Sequence, residues 1–256
     1  MKSGKSKVKS VFCITGLLTM LLVFCIPAFA GIQEGSGEYE IYPTPQDIVY
    51  GDGNTTLTNQ VDVVCGQGID SYTQKRIGDT LDVLNLSKST TASSSNTKLI
   101  VGIYDSGDAA DAYSGQIGVE DLFEGTMEDL TVEQRFNKYA LWISNGTIVI
   151  LGQDTDAAYA GVTTLKRIFE QLKGKEIRNL ALKDYAEIEF RGFIEGYYGN
   201  PWSHEDRMDL MKFGGEIKMN QYVFAPKDDP YHAERWRELY PDEVGDKNTL
   251  NHVREL

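Results

Sequence analysis

Only three cysteines occur in 256 residues, and two of them, Cys13 and Cys25, lie in an N-terminal stretch that reads as a secretory signal. With that stretch removed Cys65 stands alone, so no intrachain disulfide can form. An exported protein of this kind must rely on a packed core and not on crosslinks. Histidine is as scarce. His204, His232 and His252 have no partner at ligand spacing such as i, i+4, so no histidine-based metal site is expected. Basic charge is also short: 25 Lys and Arg stand against 38 Asp and Glu, for a formal net charge of −13. Such a surface repels nucleic acid phosphates and anionic membranes. A neutral substrate or a cationic partner is easier to accommodate.

The N-terminal stretch carries Lys2, Lys5, Lys7 and Lys9 ahead of an apolar run from Val11 to Phe29 that ends in Ala28-Phe29-Ala30. Residues 1–30 therefore read as a signal peptide cleaved after Ala30, which sends the protein out of the cell. The competing reading is an uncleaved membrane anchor, because the run approaches bilayer-spanning length. Pro27 and the small residues at the end favour cleavage, and Phe24 ahead of Cys25 disfavours a lipid anchor. After cleavage no stable membrane association is expected. Loss of four lysines takes the charge from −13 to −17. The 226 residues that remain of 256 suffice for one large domain or two modest ones. Residues 31–38, GIQEGSGE, suit a flexible leader.

From Tyr39 to about residue 185 strands and helices alternate. Ile41-Tyr42-Pro43-Thr44-Pro45 begins an extended segment held by two prolines, and Gln60 to Cys65 reads as a short strand. Ile77, Leu81 and Leu84 at i, i+4 and i+7 mark a helix over Ser71 to Leu84. The polar run SKSTTASSSN, Ser87 to Asn96, reads as a solvated loop before an apolar strand from Lys98 to Ile103. Tyr139 to Ser144, Asn145-Gly146, then Thr147 to Gly152 predicts a hairpin, because Asn-Gly supplies the positive φ angles of a type I′ turn. Ala158, Val162, Leu165, Phe169 and Leu172 share one helical face, with a stop expected at Gly174. The domain is thus a mixed sheet with two helices and no cluster of catalytic residue types, which reads as support and packing.

The most informative stretch runs from Phe190 to His232: a short strand ending in Glu195-Gly196, an aromatic loop Tyr197-Tyr198-Gly199-Asn200-Pro201-Trp202, a helix, and a second strand over Gln221 to Ala225. Ser203 stands where an N-cap belongs, with Asp206 as its capping-box partner. Leu210, Phe213 and Ile217 form the expected buried stripe, and Gly214 and Gly215, costly inside a helix, predict close packing against a neighbour. Strand, helix, strand without a hairpin means a parallel pair with a right-handed crossover. Gly196 and Gly199 permit backbone geometry or close approach that a Cβ forbids. Aromatics beside exposed backbone suit a sugar, though a turn packed by aromatics has the same composition. The loop Pro226-Lys227-Asp228-Asp229-Pro230 offers two readings as well: a catalytic acid and its partner, or aspartates that brace the loop with Lys227 and Arg235 as salt partners.

Two segments resemble known families. Gly152 to Leu172, with Tyr159 ahead of Thr163-Thr164-Leu165, is similar to the accessory domain that precedes the catalytic barrel in several bacterial hexosaminidases. EGYYGNPWSHEDR followed by NQYVFAPKDDPYHAERWRELYP resembles the start of the catalytic barrel of glycoside hydrolase family 84, the β-N-acetylglucosaminidases that include O-GlcNAc-removing enzymes. The likeness covers residues 190–241 closely and 39–185 more loosely. It implies an α/β chain: a mixed-sheet accessory domain over 39–185, then the first two βα units of a (β/α)8 TIM barrel over 186–256. By the same resemblance, Gly196 touches a sugar hydroxyl through its backbone and Lys227 hydrogen-bonds the sugar. The substrates would be glycans or glycoproteins that contain N-acetylglucosamine.

The family's catalytic pair is two adjacent aspartates after the fourth barrel strand, so Asp228 and Asp229 do not match it. The family chemistry is substrate-assisted, an exception to the two-carboxylate scheme: the acetamido oxygen attacks the anomeric carbon and an oxazoline forms, with retention. One aspartate polarises the acetamido group and the other serves as general acid, then base. No cofactor is implied. A complete barrel needs roughly 250 residues, whereas 67 run from Phe190 to Leu256. The catalytic pair is therefore expected beyond Leu256, and the chain alone is expected not to hydrolyse glycosides. Two alternatives stand beside this: a family 20 hexosaminidase, against which the Glu195-Gly196-Tyr197-Tyr198-Gly199 loop speaks, and a non-catalytic secreted module that binds glycans.

Overall fold

A computed structural model describes residues 38–124, 135–195 and 202–224. The expected signal peptide, most of the expected leader, the aromatic loop from Gly196 to Pro201 and everything after Phe224 lie outside the described residues. So do Lys227, Asp228 and Asp229, and the second barrel helix expected around Leu250 and Val253.

Seven strands form one mixed sheet: β1 (Asp47–Thr56), β2 (Gln60–Cys65), β3 (Ser87–Lys88), β4 (Thr97–Ile103), β5 (Phe136–Ser144), β6 (Thr147–Gly152) and β7 (Glu176–Ala186), in spatial order β1-β7-β5-β6-β4-β2-β3. β2, β4 and β6 run parallel, while β5 pairs antiparallel with β6 and β7, and β7 with β1. The β5–β6 hairpin turns at Asn145 and Gly146 with φ of 48° and 75°, the signs a type I′ turn demands.

Helices α1 (Ser71–Asp82) and α4 (Thr155–Phe169) pack together on one face of this sheet. Each starts at an aspartate whose carboxylate accepts a backbone N–H of the first turn, at 2.8 Å in both: Asp70 from Thr73 and Asp154 from Ala157. Because strand side chains alternate, Ile148 and Ile150 face these helices and meet Val162, Leu165 and Ile168. Val149 and Leu151 face the opposite way. There a segment with a 3-10 turn (Asp111–Tyr113), α2 (Ser114–Ile117) and α3 (Glu120–Phe123) covers them with Ala110, Ile117, Val119 and Leu122. A sheet buried on both faces explains why β4 and β6 read as continuous apolar runs.

Several details depart from the sequence-based expectations. α4 ends at Phe169, ahead of Gly174, and Leu172 stays near the core through tight-turn bonds from Gln171 N–H to Ile168 C=O and Leu172 N–H to Phe169 C=O. The polar run after Leu86 opens with the two-residue edge strand β3, parallel to β2. β1 and β7 add two antiparallel strands to the expected pattern.

The remaining unit is β8 (Gly192–Glu195), α5 (His204–Glu216) and β9 (Gln221–Phe224). β8 and β9 pair in parallel, Gly192 opposite Gln221 and Glu195 opposite Phe224, as the crossover reading requires. Ser203 and Asp206 form the full capping box that starts α5. The buried stripe of α5 is not the expected one. Arg207 and Gly214 turn inward, and Phe213 is 56% exposed. Gly214 favours this rotation: a Cβ there would stand 3.3 Å from the Phe193 ring, so a larger residue would have to push the ring back by a few tenths of an ångström.

Candidate functional site

The two parallel strands β8 and β9 end on the same edge, at Glu195 and Phe224. In sequence Gly196 follows the first directly and Lys227 stands three residues past the second. The described residues thus form the footing of the candidate site and not its rim.

That footing depends on close strand approach. A Cβ on Gly192 would lie 1.5 Å from the carbonyl oxygen of Gln221, so any side chain there forces the strands apart. Sequence reasoning singled out Gly196 and Gly199 and missed Gly192, although the Arg-Gly-aromatic opening of the strand was its signal.

Along β8, Phe193 and Glu195 share the face toward α5 while Ile194 points the other way and is 73% exposed. Glu195 is 2% exposed. Its carboxylate takes two parallel hydrogen bonds from Arg207, Nε to Oε2 at 2.9 Å and Nη2 to Oε1 at 2.8 Å, and a third from the Tyr222 hydroxyl on β9. One carboxylate therefore ties strand, helix and second strand together in bidentate geometry. Burial alone would lower the Arg207 pKa, but the hydrogen bonds and charge of Glu195 outweigh it and raise it further. The Tyr222 phenol is likewise pushed up, by burial and then by Glu195. A carboxylate so committed is a brace and not a free acid or base. Nothing in the spacing of Glu195 and Arg207 announced this pair; the signal available was a glutamate on the helix-facing alternation of a short strand, with an arginine four positions past the N-cap Ser203.

The unit is fastened to the seven-stranded sheet by polar contacts. Glu216 at the end of α5 accepts from Arg76 of α1 at 2.8 Å and from Lys166 of α4 at 3.1 Å. Arg191, just before β8, donates to the carbonyls of Ile188 and Glu189 and to the Asn137 side chain of β5 at 2.9 Å. A cavity of about 290 Å³ opens at this joint, lined by Tyr139, Asp184, Tyr185, Arg191 and Lys218. It is not at the C-terminal strand edge, and its Asp184, Tyr139 and Lys218 are bonded to one another.

Residues 38–185 match the family model for glycosyl hydrolase family 20, domain 2. The chain belongs to that family. Residues 191–254 match a second model, beta-N-acetylglucosaminidase. Among solved structures this family 20 domain 2 chain is similar to that of CpGH84D, with 39% identity and a TM-score of 0.71 over 85% of this chain and 35% of that one. It is also similar to CpGH84B, at 30% identity and a TM-score of 0.58 over 85% and 34%. The Protein O-GlcNAcase of Rattus norvegicus is 41% identical over 56 residues, 22% of this chain and 6% of the rat protein. A family 20 exo β-N-acetylglucosaminidase from Vibrio harveyi shares the fold, at 16% identity and a TM-score of 0.53. The domain 2 chain is thus of the family 84 hexosaminidase type, and these relatives are glycoside hydrolases. It spans about a third of the length of the two solved family 84 structures.

Proposed function

We propose that the chain serves a secreted β-N-acetylglucosaminidase that removes terminal N-acetylglucosamine from glycoconjugates by the retaining, oxazoline-forming route, and that residues 190–232 supply one wall of its sugar pocket. The observation that carries this reading is the parallel pairing of β8 and β9 within the segment that matches the β-N-acetylglucosaminidase model. Functional groups of barrel enzymes sit where such strands end. Gly196 and Lys227 are the sugar contacts in this reading, the first through its backbone and the second as a hydrogen-bond donor. Asp228 and Asp229 brace their loop and take no part in bond cleavage.

An aryl N-acetylglucosaminide assay on the purified chain is expected to show no turnover, because the reading assigns none of its residues as general acid. N-acetylglucosamine should nevertheless bind, and Lys227→Ala should weaken that binding about tenfold, the scale of a lost charge-assisted hydrogen bond. Clear turnover, or binding indifferent to Lys227, would sink the assignment. Secretion is checked separately by N-terminal sequencing of the exported product, which should begin at Gly31.

A further inference from the structure

α5 ends in a Schellman motif: Met219 N–H reaches back to Gly214 C=O at 2.9 Å and Lys218 N–H to Gly215 C=O at 3.4 Å. The residue that takes the left-handed conformation in this motif is ordinarily glycine, since a Cβ is disfavoured there. Here it is Lys218, at φ 59°. A local conformational cost is thus retained at a position where the commonest residue would remove it, and the side chain shows what it is retained for.

The Lys218 side chain is 8% exposed and reaches into the sheet domain. Its Nζ donates to Asp184 Oδ2 of β7 at 2.9 Å and to the Tyr139 hydroxyl of β5 at 2.8 Å. The hydroxyl protons beside it can be assigned. Tyr139 donates its single proton to Asp184 Oδ2 at 2.7 Å, so Thr164 of α4 must donate to Tyr139, at 2.6 Å. Asp184 Oδ1 takes the backbone N–H groups of Gln46 and Tyr185. Every member is partnered, which makes the cluster rigid.

Two residues, Met219 and Asn220, separate Lys218 from β9, and the second of them is tied to the start of β8. Asn220 accepts from Arg191 N–H at 2.9 Å and donates to Glu189 C=O at 2.8 Å, and Arg191 C=O accepts from both Asn220 and Gln221 N–H. Arg191 also donates to the Lys218 carbonyl. Displacement of Lys218 therefore displaces the first residue of β9.

We propose that Lys218 is a positioning residue: through Asp184 and Tyr139 it lets the seven-stranded sheet set where β9 leaves α5, and hence where the strand ahead of Lys227 stands. The role in sugar binding rests on the function proposed above; the anchoring does not.

Hydrogen–deuterium exchange on the full chain tests it. Lys218→Gly keeps the left-handed backbone and deletes the ammonium. Exchange over residues 219–224 should accelerate tenfold or more while β5, β6 and β7 exchange as in the parent. Lys218→Arg, which keeps a cation, should restore slow exchange, and Asp184→Asn should reproduce the local acceleration. Parental exchange in both Lys218→Gly and Asp184→Asn would overturn the proposal, as would Lys218→Arg behaving like Lys218→Gly. Titration with N-acetylglucosamine separates the two readings. Weaker binding by Lys218→Gly than by the parent, restored in Lys218→Arg, supports both. Local acceleration with no sugar binding by parent or variant leaves positioning intact and defeats the sugar reading. Equal sugar binding with parental exchange does the reverse.

Discussion

The seven-stranded sheet and the β8-α5-β9 unit are built by opposite means. In the sheet, strands β4 to β7 carry apolar side chains into two cores, and Leu99, Leu141, Ile150 and Leu165 are fully buried. Among the described residues of the β8-α5-β9 unit the largest fully buried side chain is a charged one, Arg207, and Ile194 and Phe213 stand in the open. The first region is held by surface removed from water, which needs no particular partner geometry. The second is held by directional bonds: Glu195 with Arg207 and Tyr222, Glu216 with Arg76 and Lys166, Lys218 with Asp184. It takes its order from its neighbour.

The contrast can be broken by substitution. Arg207→Met should have the largest effect, because it leaves the Glu195 carboxylate buried without its main partner, at a cost of roughly 3–5 kcal/mol. The loss should be confined to β8, α5 and β9, read as hydrogen exchange that accelerates there and not in the sheet. A matching drop in the sheet's own unfolding midpoint would show that the two regions are one cooperative unit. Leu165→Ala comes next, at roughly 2–5 kcal/mol for a leucine-to-alanine cavity in a packed core, and should lower the denaturant midpoint of the sheet. Collapse of the site around the smaller side chain would put the measured value at the low end of that range.

Acid gives the smallest effect and sharpens the comparison. Burial pushes the Glu216 carboxyl up, but the hydrogen bonds and charges of Arg76 and Lys166 together outweigh it and hold it below its ordinary value. A depressed carboxyl contributes stability that is complete above the unfolded-state pKa, about 4.3, and is lost as pH falls through the lower folded value. Exchange over α5 should therefore quicken below about pH 4 before the sheet responds, and Glu216→Gln should remove that part of the pH dependence. An unchanged profile in Glu216→Gln would assign the acid sensitivity elsewhere.

Local signals were the readable ones. Asn145-Gly146, the α4 stripe from Ala158 to Phe169, and the Ser203–Asp206 box each concern residues within a few positions of one another, so their physics is contained in a short window. β7 escaped notice as a strand because its inward alternation includes Asp184, which looks solvent-facing until Lys218 and Tyr139 are brought to it. The α5 face was misread for a related reason. Leu210, Phe213 and Ile217 form an apolar stripe by composition, but the side that packs is chosen by Gly214 and by the bond from Arg207 to Glu195, which composition ranks as surface residues. Gly196 and Lys227 were legible only through family likeness, because a backbone contact to a sugar and a lysine on a loop have no periodicity to read.

The sequence by itself determined β2, β4, α1, α4, the β5–β6 hairpin turn, the strand–helix–strand order of β8, α5 and β9, and the α5 cap, since propensity, alternation and turn chemistry act between near neighbours. The tertiary structure decided which charges are buried and paired. Those pairings join residues from 12 to 140 positions apart, such as Glu195 with Arg207 and Arg76 with Glu216, and a charge becomes an acceptable core residue only when folding delivers its partner at hydrogen-bond distance.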